Sequence, residues 1–237
     1  MYKRQLATRF NWRTFSVTAE QRCNPADNPA AHDTEIQKKI RHADREGVKI
    51  FDIPNGKDVS QELRDKVAER VKDWQANRKG KQVHLTNIHP WQDIEHRQYH
   101  YAVDKDGKIA ALCVLAQLSS EHGWQVKYSL DFPGAPGGTI EMLIVHALRK
   151  LASGGVTNCT WGSGATPQFT AGHNMKGARV KMLSKAYGAI VSELKLTNKS
   201  EFREKLGAKD DPVYICYPPH GLGAMGVRAI LSFFEDD

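Results

Sequence analysis

The sequence predicts an α/β (α+β) fold, and three observations predict it. Residues 109–118 (IAALCVLAQL) form a nearly continuous apolar run, as a buried strand requires. Residues 124–130 (WQVKYSL) alternate, with Lys127 and Ser129 on one face and Val126, Tyr128 and Leu130 on the other. Ile140, Leu143, Ile144, Ala147, Leu148 and Leu151 then recur at helical spacing and make one apolar stripe.

The elements follow in order. Residues 1–34 are polar, rich in Asn, Thr and Pro, and read as a loosely ordered lead-in or as a fragment of something larger. Residues 35–47 make a short basic helix stopped by Gly47, and 48–53 (VKIFDI) a strand. Ser60 caps a second helix over 60–72, where Leu63, Val67 and Val71 repeat every four positions and Trp74 closes it. Residues 77–81 (NRKGK) are a basic linker, either a solvated turn or a phosphate contact. Residues 100–103 pair with the 109–118 strand through the hairpin signal Asp104-Lys105-Asp106-Gly107.

Residues 133–167 (PGAPGGTIEMLIVHALRKLASGGVTNCTWGSGATP) carry the most information. A Gly/Pro turn enters the amphipathic helix, with Thr139 the expected N-cap and Gly154-Gly155 the stop. A short strand and a second glycine-rich turn follow. A helix N-terminus beside a glycine loop offers free N–H groups to an anion or a carbonyl oxygen, or is simply a packing turn. Glu141 in the first turn is either a carboxylate favoured by the helix dipole or one facing a cleft. Beyond it lie a basic helix over 174–194, a segment 197–206, a turn at Asp211-Pro212, a strand over 213–217 and an apolar helix over 227–234.

Composition sets limits. The 237 residues are 40% hydrophobic, so a core is available, in one large domain or one and a half smaller ones. The net charge of +7 and a pI near 9.2 suit an anionic partner, nucleic acid or a membrane surface. No apolar run reaches the roughly 20 residues of a membrane span, and no signal-peptide core is present. Cys23, Cys113, Cys159 and Cys216 are scattered without CxxC, which reads as reduced thiols in a cytoplasmic protein. The ten histidines show no HExxH or Cys/His ligand spacing, so no metal is expected.

The segment APGGTIEMLIVHALRKLASGGVTNCTWGSGATP resembles the C-terminal catalytic domain of bacterial phosphatidylglycerol lysyltransferases, with its Pro-Asn/Gly-Gly-Thr turn and following helix. FREKLGAKDDPVYICYP is similar to that family's closing strand, and KKIRHADREGVKI to the segment linking its two halves. The resemblance spans residues 36–231 in the right order. KGKQVHLT, PWQDIEHRQYHYA, HGWQVKYSLDFPGAP and DPVYICYPPHGLGA look like the fungal members. Those occur fused to an aspartyl-tRNA synthetase or free-standing, and move an aspartyl or glycyl group from tRNA to the 3β-hydroxyl of ergosterol.

The resemblance implies a tandem acetyltransferase-like (GNAT) fold, with residues 35–78 a remnant of the first repeat and 79–237 the catalytic repeat. It implies aminoacyl-tRNA as co-substrate with no other cofactor. Its partners would be a membrane sterol and a fused or separate aspartyl-tRNA synthetase, at a cytoplasmic, membrane-peripheral location. The turn Pro133-Gly134-Ala135-Pro136-Gly137-Gly138 lacks the Arg or Gln of acyl-CoA enzymes, which argues against acetyl-CoA, and no synthetase motif is present.

Attack of a hydroxyl on an aminoacyl ester needs orientation, a base and oxyanion stabilisation. The resemblance places Lys205 as stabiliser of the oxyanion or of the leaving ribose. Glu141 or His173 could take the proton, the histidine being otherwise a plain loop residue. Gly137, Gly138 and Lys127 are the aminoacyl-binding candidates, and a Gly138→Val change is expected to abolish transfer without unfolding the chain. Arg179, Lys181, Lys185 and Arg203 are candidates for acceptor-end phosphates, although each alone is ordinary surface charge. Tyr128, Trp161 and Phe169 either line an apolar sterol slot or pack the core. The rival readings are a glycyl donor, phosphatidylglycerol as acceptor, an acyl-CoA N-acyltransferase, and a tRNA- or lipid-binding module without turnover.

Overall fold

The computed structural model describes residues 2–77, 88–194, 197–219 and Gly221. In chain order these form α1 (Tyr2–Arg9), β1 (Arg13–Cys23), α2 (Thr34–Arg45), β2 (Lys49–Ile53), α3 (Gln61–Ala76), β3 (Arg97–Val103) and β4 (Ile109–Gln117). Then come β5 (Trp124–Asp131), α4 (Thr139–Ser153), β6 (Cys159–Ala171), α5 (Ala178–Leu194), α6 (Asn198–Lys205) and β7 (Lys209–Tyr217). The mixed α/β fold expected from the sequence is present. The chain divides into a larger unit, residues 22–162 with 203–209, and a smaller one, residues 1–21, 163–202 and 210–237.

In the larger unit the strand order is β2-β3-β4-β5 and then the first residues of β6. The first three pairings are antiparallel, and β5 pairs with β6 in parallel at Trp124↔Cys159 and Gln125↔Thr160 alone. A parallel neighbour needs a crossover, and α4 supplies it. β4 is buried on both faces over residues 109–115, which explains its unbroken apolar run. One face packs Leu112, Val114, Tyr128 and Leu130 against Leu63, Val67 and Val71 of α3. On the other, Leu143, Ile144, Ala147 and Leu148 bury the stripe of α4. Asp33 caps α2 through Ile36 N at 2.9 Å and Ser60 caps α3 through Leu63 N at 3.2 Å; such caps contribute about 1 kcal/mol each.

In the smaller unit the order is the rest of β6, then β1, then β7. The Thr18 hydroxyl donates to the Gly164 carbonyl at 2.8 Å. Tyr187 of α5 brings its hydroxyl to the carbonyls of Val17 (2.7 Å) and Thr166 (2.6 Å), which holds that helix to β1 and β6. Phe15 stacks on Phe169 at 5.2 Å and meets Tyr217 edge-on at 5.9 Å.

Several expectations need correction. Residues 1–34 are not a loose lead-in: they hold α1 and the eleven-residue β1. The buried positions of β1 are Thr14, Ser16, Ala19, Gln21 and Cys23, mostly polar, and the alternation slips at Val17-Thr18, so no apolar pattern marks the strand. Residues 161–167 are not a turn but the middle of β6, where Gly162 takes φ +77°. β7 likewise runs through Asp211-Pro212. α5 starts at Ala178 rather than at 174, because Asn174 and Gly177 both adopt positive φ. The larger unit holds residues 35–77 together with 88–162. The linker beyond Asn77 and the expected 227–234 helix lie outside the described residues.

Candidate functional site

The site is built at the junction of β5 and α4, within the larger unit. Period-two alternation sets Lys127, Ser129 and Asp131 on the exposed face of β5, opposite the buried Val126, Tyr128 and Leu130. The turn that follows is anchored from beneath by Arg70 of α3. Its buried guanidinium donates to the carbonyls of Ile109 (2.9 Å) and Pro133 (2.7 Å) and to the Asp73 carboxylate (2.8 Å). The charge-assisted bond to Pro133 fixes the entry of the turn, and those to Ile109 and Asp73 hold the guanidinium in place.

At its exit the N-cap of α4 is Gly138, not Thr139. Thr139 is the first helical residue and its hydroxyl donates to the Pro136 carbonyl at 2.7 Å. Gly138 holds φ +91°, and a Cβ there would collide with the Lys39 carbonyl of α2. The space expected for close approach at Gly138 is thus filled by α2, and Gly138→Val would disturb the fold itself. Gly137 differs: it is exposed, and a Cβ would make ordinary contact with His42 at 3.6 Å.

Glu141 is buried in the first turn of α4, and Lys39 Nζ stands 2.5 Å from its Oε1. Close by, Asp131 retains solvent access at the end of β5. The protein mass around it and the Glu141 charge push its carboxyl up to about 6. Where β5 hands over to α4, two carboxylates therefore influence one another electrostatically, and one of them is paired with an ammonium. One carboxylate is locked by an ion pair, and the other titrates close to neutrality, as a general base requires. A polar cavity of about 370 Å³ adjoins the turn, lined by His42, Glu46, Asp104, Lys105, Asp106, Gly134 and Pro136. Its three carboxylates to one lysine suit a cationic group better than a pyrophosphate.

The other predicted residues fall as follows. Lys205 is exposed at the end of α6, with Leu206 behind it fully buried and Arg203 half-buried. Tyr128 packs in the α3 core, its hydroxyl accepting from His89 N at 3.3 Å, and Trp161 is buried on β6. In the smaller unit, Phe169 stacks on Phe15. Each aromatic therefore has a packing role of its own. His173 pairs through its backbone with Thr14, and its side chain is exposed. Arg179, Lys181 and Lys185 are exposed on α5.

Sequence reasoning missed Asp131 and Lys39. Extending the polar face Lys127, Ser129 by one more step of two finds Asp131 directly before the turn. No local signal identifies Lys39, which reaches Glu141 across 102 positions of sequence.

Residues 31–216 match the family described as phosphatidylglycerol lysyltransferase, C-terminal. Among solved structures, L-PGS from Bacillus licheniformis superposes with a TM-score of 0.70 at 15% identity, covering 98% of this chain and 69% of that one. The C-terminal domain (DUF2156) of an Agrobacterium fabrum protein described as a lysylphosphatidylglycerol synthetase gives 0.66 at 17% identity, covering 97% and 67%. At such identities the likeness speaks for the fold. Among curated proteins none matches this chain.

Proposed function

This chain belongs to the phosphatidylglycerol lysyltransferase C-terminal family, a family of enzymes, and from that premise we propose that it transfers an aminoacyl group from aminoacyl-tRNA to a lipid hydroxyl. The observation that carries the proposal is the Asp131–Glu141–Lys39 constellation at the β5–α4 junction. Asp131 takes the hydroxyl proton as oxygen attacks the ester carbonyl; the C–O bond to the tRNA ribose then breaks, and the proton passes to the leaving 3′-oxygen. Lys205 stabilises the oxyanion or the leaving ribose, the part that the resemblance assigns to it. Arg179, Lys181, Lys185 and Arg203 take the acceptor-end phosphates. Aminoacyl-tRNA is the co-substrate and no further cofactor enters. The reaction takes place on the cytoplasmic side, with the protein peripheral to the membrane.

Two acceptors have a specific observation each. The family match favours phosphatidylglycerol. The four stretches quoted above, HGWQVKYSLDFPGAP among them, favour ergosterol, with aspartyl or glycyl as the group moved. The family evidence covers far more of the chain, so phosphatidylglycerol is the stronger reading. The test is incubation of the protein with labelled Lys-, Asp- or Gly-tRNA and vesicles holding either phosphatidylglycerol or ergosterol, followed by lipid extraction. Label in phosphatidylglycerol supports the first reading and label in ergosterol the second. Label in neither, with tRNA bound, turns the protein into a binding module.

A further inference from the structure

Away from the β5–α4 junction, three elements of the larger unit deliver three metal-ligating side chains to one point. Asp52 of β2 lies directly across the ladder from His100 of β3. His146 comes from α4, five positions beyond Glu141. His100 Nδ1 is 2.8 Å and His146 Nε2 2.7 Å from Asp52 Oδ1, and the three candidate ligand atoms all lie within 4.8 Å of one another. The imidazole rings meet edge-on at 5.8 Å, so neither blocks the other's nitrogen.

We propose that Asp52, His100 and His146 form a binding site for a divalent transition-metal ion of the zinc class, which clips α4 to the β2–β3 pair. Two imidazoles and one carboxylate are a borderline N/O donor set that suits zinc, with a fourth position left for water. A tetrahedral ion with bonds of about 2.0–2.1 Å holds its donors roughly 3.3 Å apart. The two histidine–Asp52 spacings, 2.8 and 2.7 Å, are tighter than that, and His146 at 31% exposed has room to adjust. The burial of His100 pushes its imidazole down, towards the neutral form that ligates. Lys150 Nζ stands 3.1 Å from Asp52 Oδ2 and competes for it, but that side chain is 54% exposed and can swing away. The wide spacing of 52, 100 and 146 explains why a search for short ligand motifs passes over the set.

The bland alternative is a hydrogen-bonded charge cluster that needs no ion. The two are separated with the full chain, freed of metal by chelation, titrated with Co(II) and then Zn(II), while visible absorption and melting temperature are followed. The proposal expects one Co(II) per chain with intense four-coordinate absorption bands, displacement by Zn(II), and a higher melting temperature with metal. His146→Gln keeps an N–H donor for Asp52 but removes the imidazole, and is expected to weaken binding at least about tenfold. Asp52→Asn serves as the second variant if His146→Gln does not fold. Absence of the intense bands, or equal binding by wild type and a folded variant, overturns the site and assigns any uptake to other histidines among the ten.

Discussion

Lys39 of α2 and Glu141 of α4 are joined by a 2.5 Å ion pair in which the carboxylate is 7% exposed and the lysine 52%. The asymmetry decides what each partner does. Lys39 can be removed at little cost to itself, but Glu141 would then be a buried charge without its counter-ion. Lys39→Met is expected to destabilise the protein by about 2 kcal/mol, below the cost for a fully buried pair because solvent reaches the lysine. The double variant Lys39→Met/Glu141→Gln should recover most of that loss. Urea unfolding of the single and double variants measures it, and a double variant as unstable as Lys39→Met would show that the ion pair is not the cause.

Asp131 provides the pH dependence. Its folded-state pKa is raised to about 6, above the ordinary carboxylate value near 3.9. The folded protein therefore holds this proton more tightly than the unfolded chain. The associated stability is fully present below about pH 4 and is lost as pH rises through about 6. Asp131→Asn mimics the protonated form, so it should match wild type near pH 4 and melt higher than wild type at pH 8. Melting curves at the two pH values check the sign.

The same residue should shape catalysis. As the general base, Asp131 gives a transfer rate that climbs with pH around a midpoint near 6. Asp131→Asn should lose about a hundredfold in rate or more, along with that limb of the profile. Glu141→Gln removes the neighbouring charge and should move the midpoint to lower pH. A profile with the same midpoint in Glu141→Gln would dissociate the two carboxylates.

The sequence conveys the strands and helices whose burial is apolar and misses those whose burial is not. β4, β5 and α4 are legible because Leu112, Val126 and Leu143 mark their inward faces. β1 is not, because Thr14, Ser16 and Gln21 occupy inward positions and the apolar count is silent about them. Glu141 and the turn glycines could be singled out from local pattern. Their environment could not, since Lys39 closes over Gly138 and Glu141 from about a hundred residues upstream. Tertiary contacts of that kind leave no mark in spacing.

Adjacent glycines in the turn now make opposite predictions. Gly138→Ala forces a side chain into a left-handed backbone and against the Lys39 carbonyl, and should destabilise by more than about 1 kcal/mol. Gly137→Ala meets only ordinary contact with His42 and should leave stability within about 0.5 kcal/mol. Gly137→Ala is therefore the variant that probes whether this turn holds the aminoacyl carbonyl. An unchanged KM for aminoacyl-tRNA in that variant removes Gly137 from the binding site.

Lys205 offers a separation of stability from chemistry. It is exposed at the end of α6 while Leu206, next in sequence, is fully buried. Lys205→Ala should therefore shift stability by less than about 0.5 kcal/mol. If its ammonium stabilises the oxyanion or the leaving ribose, transfer should fall about a hundredfold, roughly 3 kcal/mol in the transition state. We expect that fall with tRNA affinity preserved, because a contact made only in the transition state lowers kcat and kcat/KM together. Loss of tRNA affinity alongside turnover would move Lys205 into the set with Arg179, Lys181 and Lys185. That set is itself recognised by salt: each phosphate neutralised releases counter-ions, so its binding must weaken steeply between low and physiological ionic strength. Measuring tRNA affinity over that range for wild type, Lys205→Ala and Lys181→Ala assigns Lys205. A salt slope reduced in Lys181→Ala but kept in Lys205→Ala leaves Lys205 with the reacting ester, and normal turnover in Lys205→Ala removes it from the mechanism altogether.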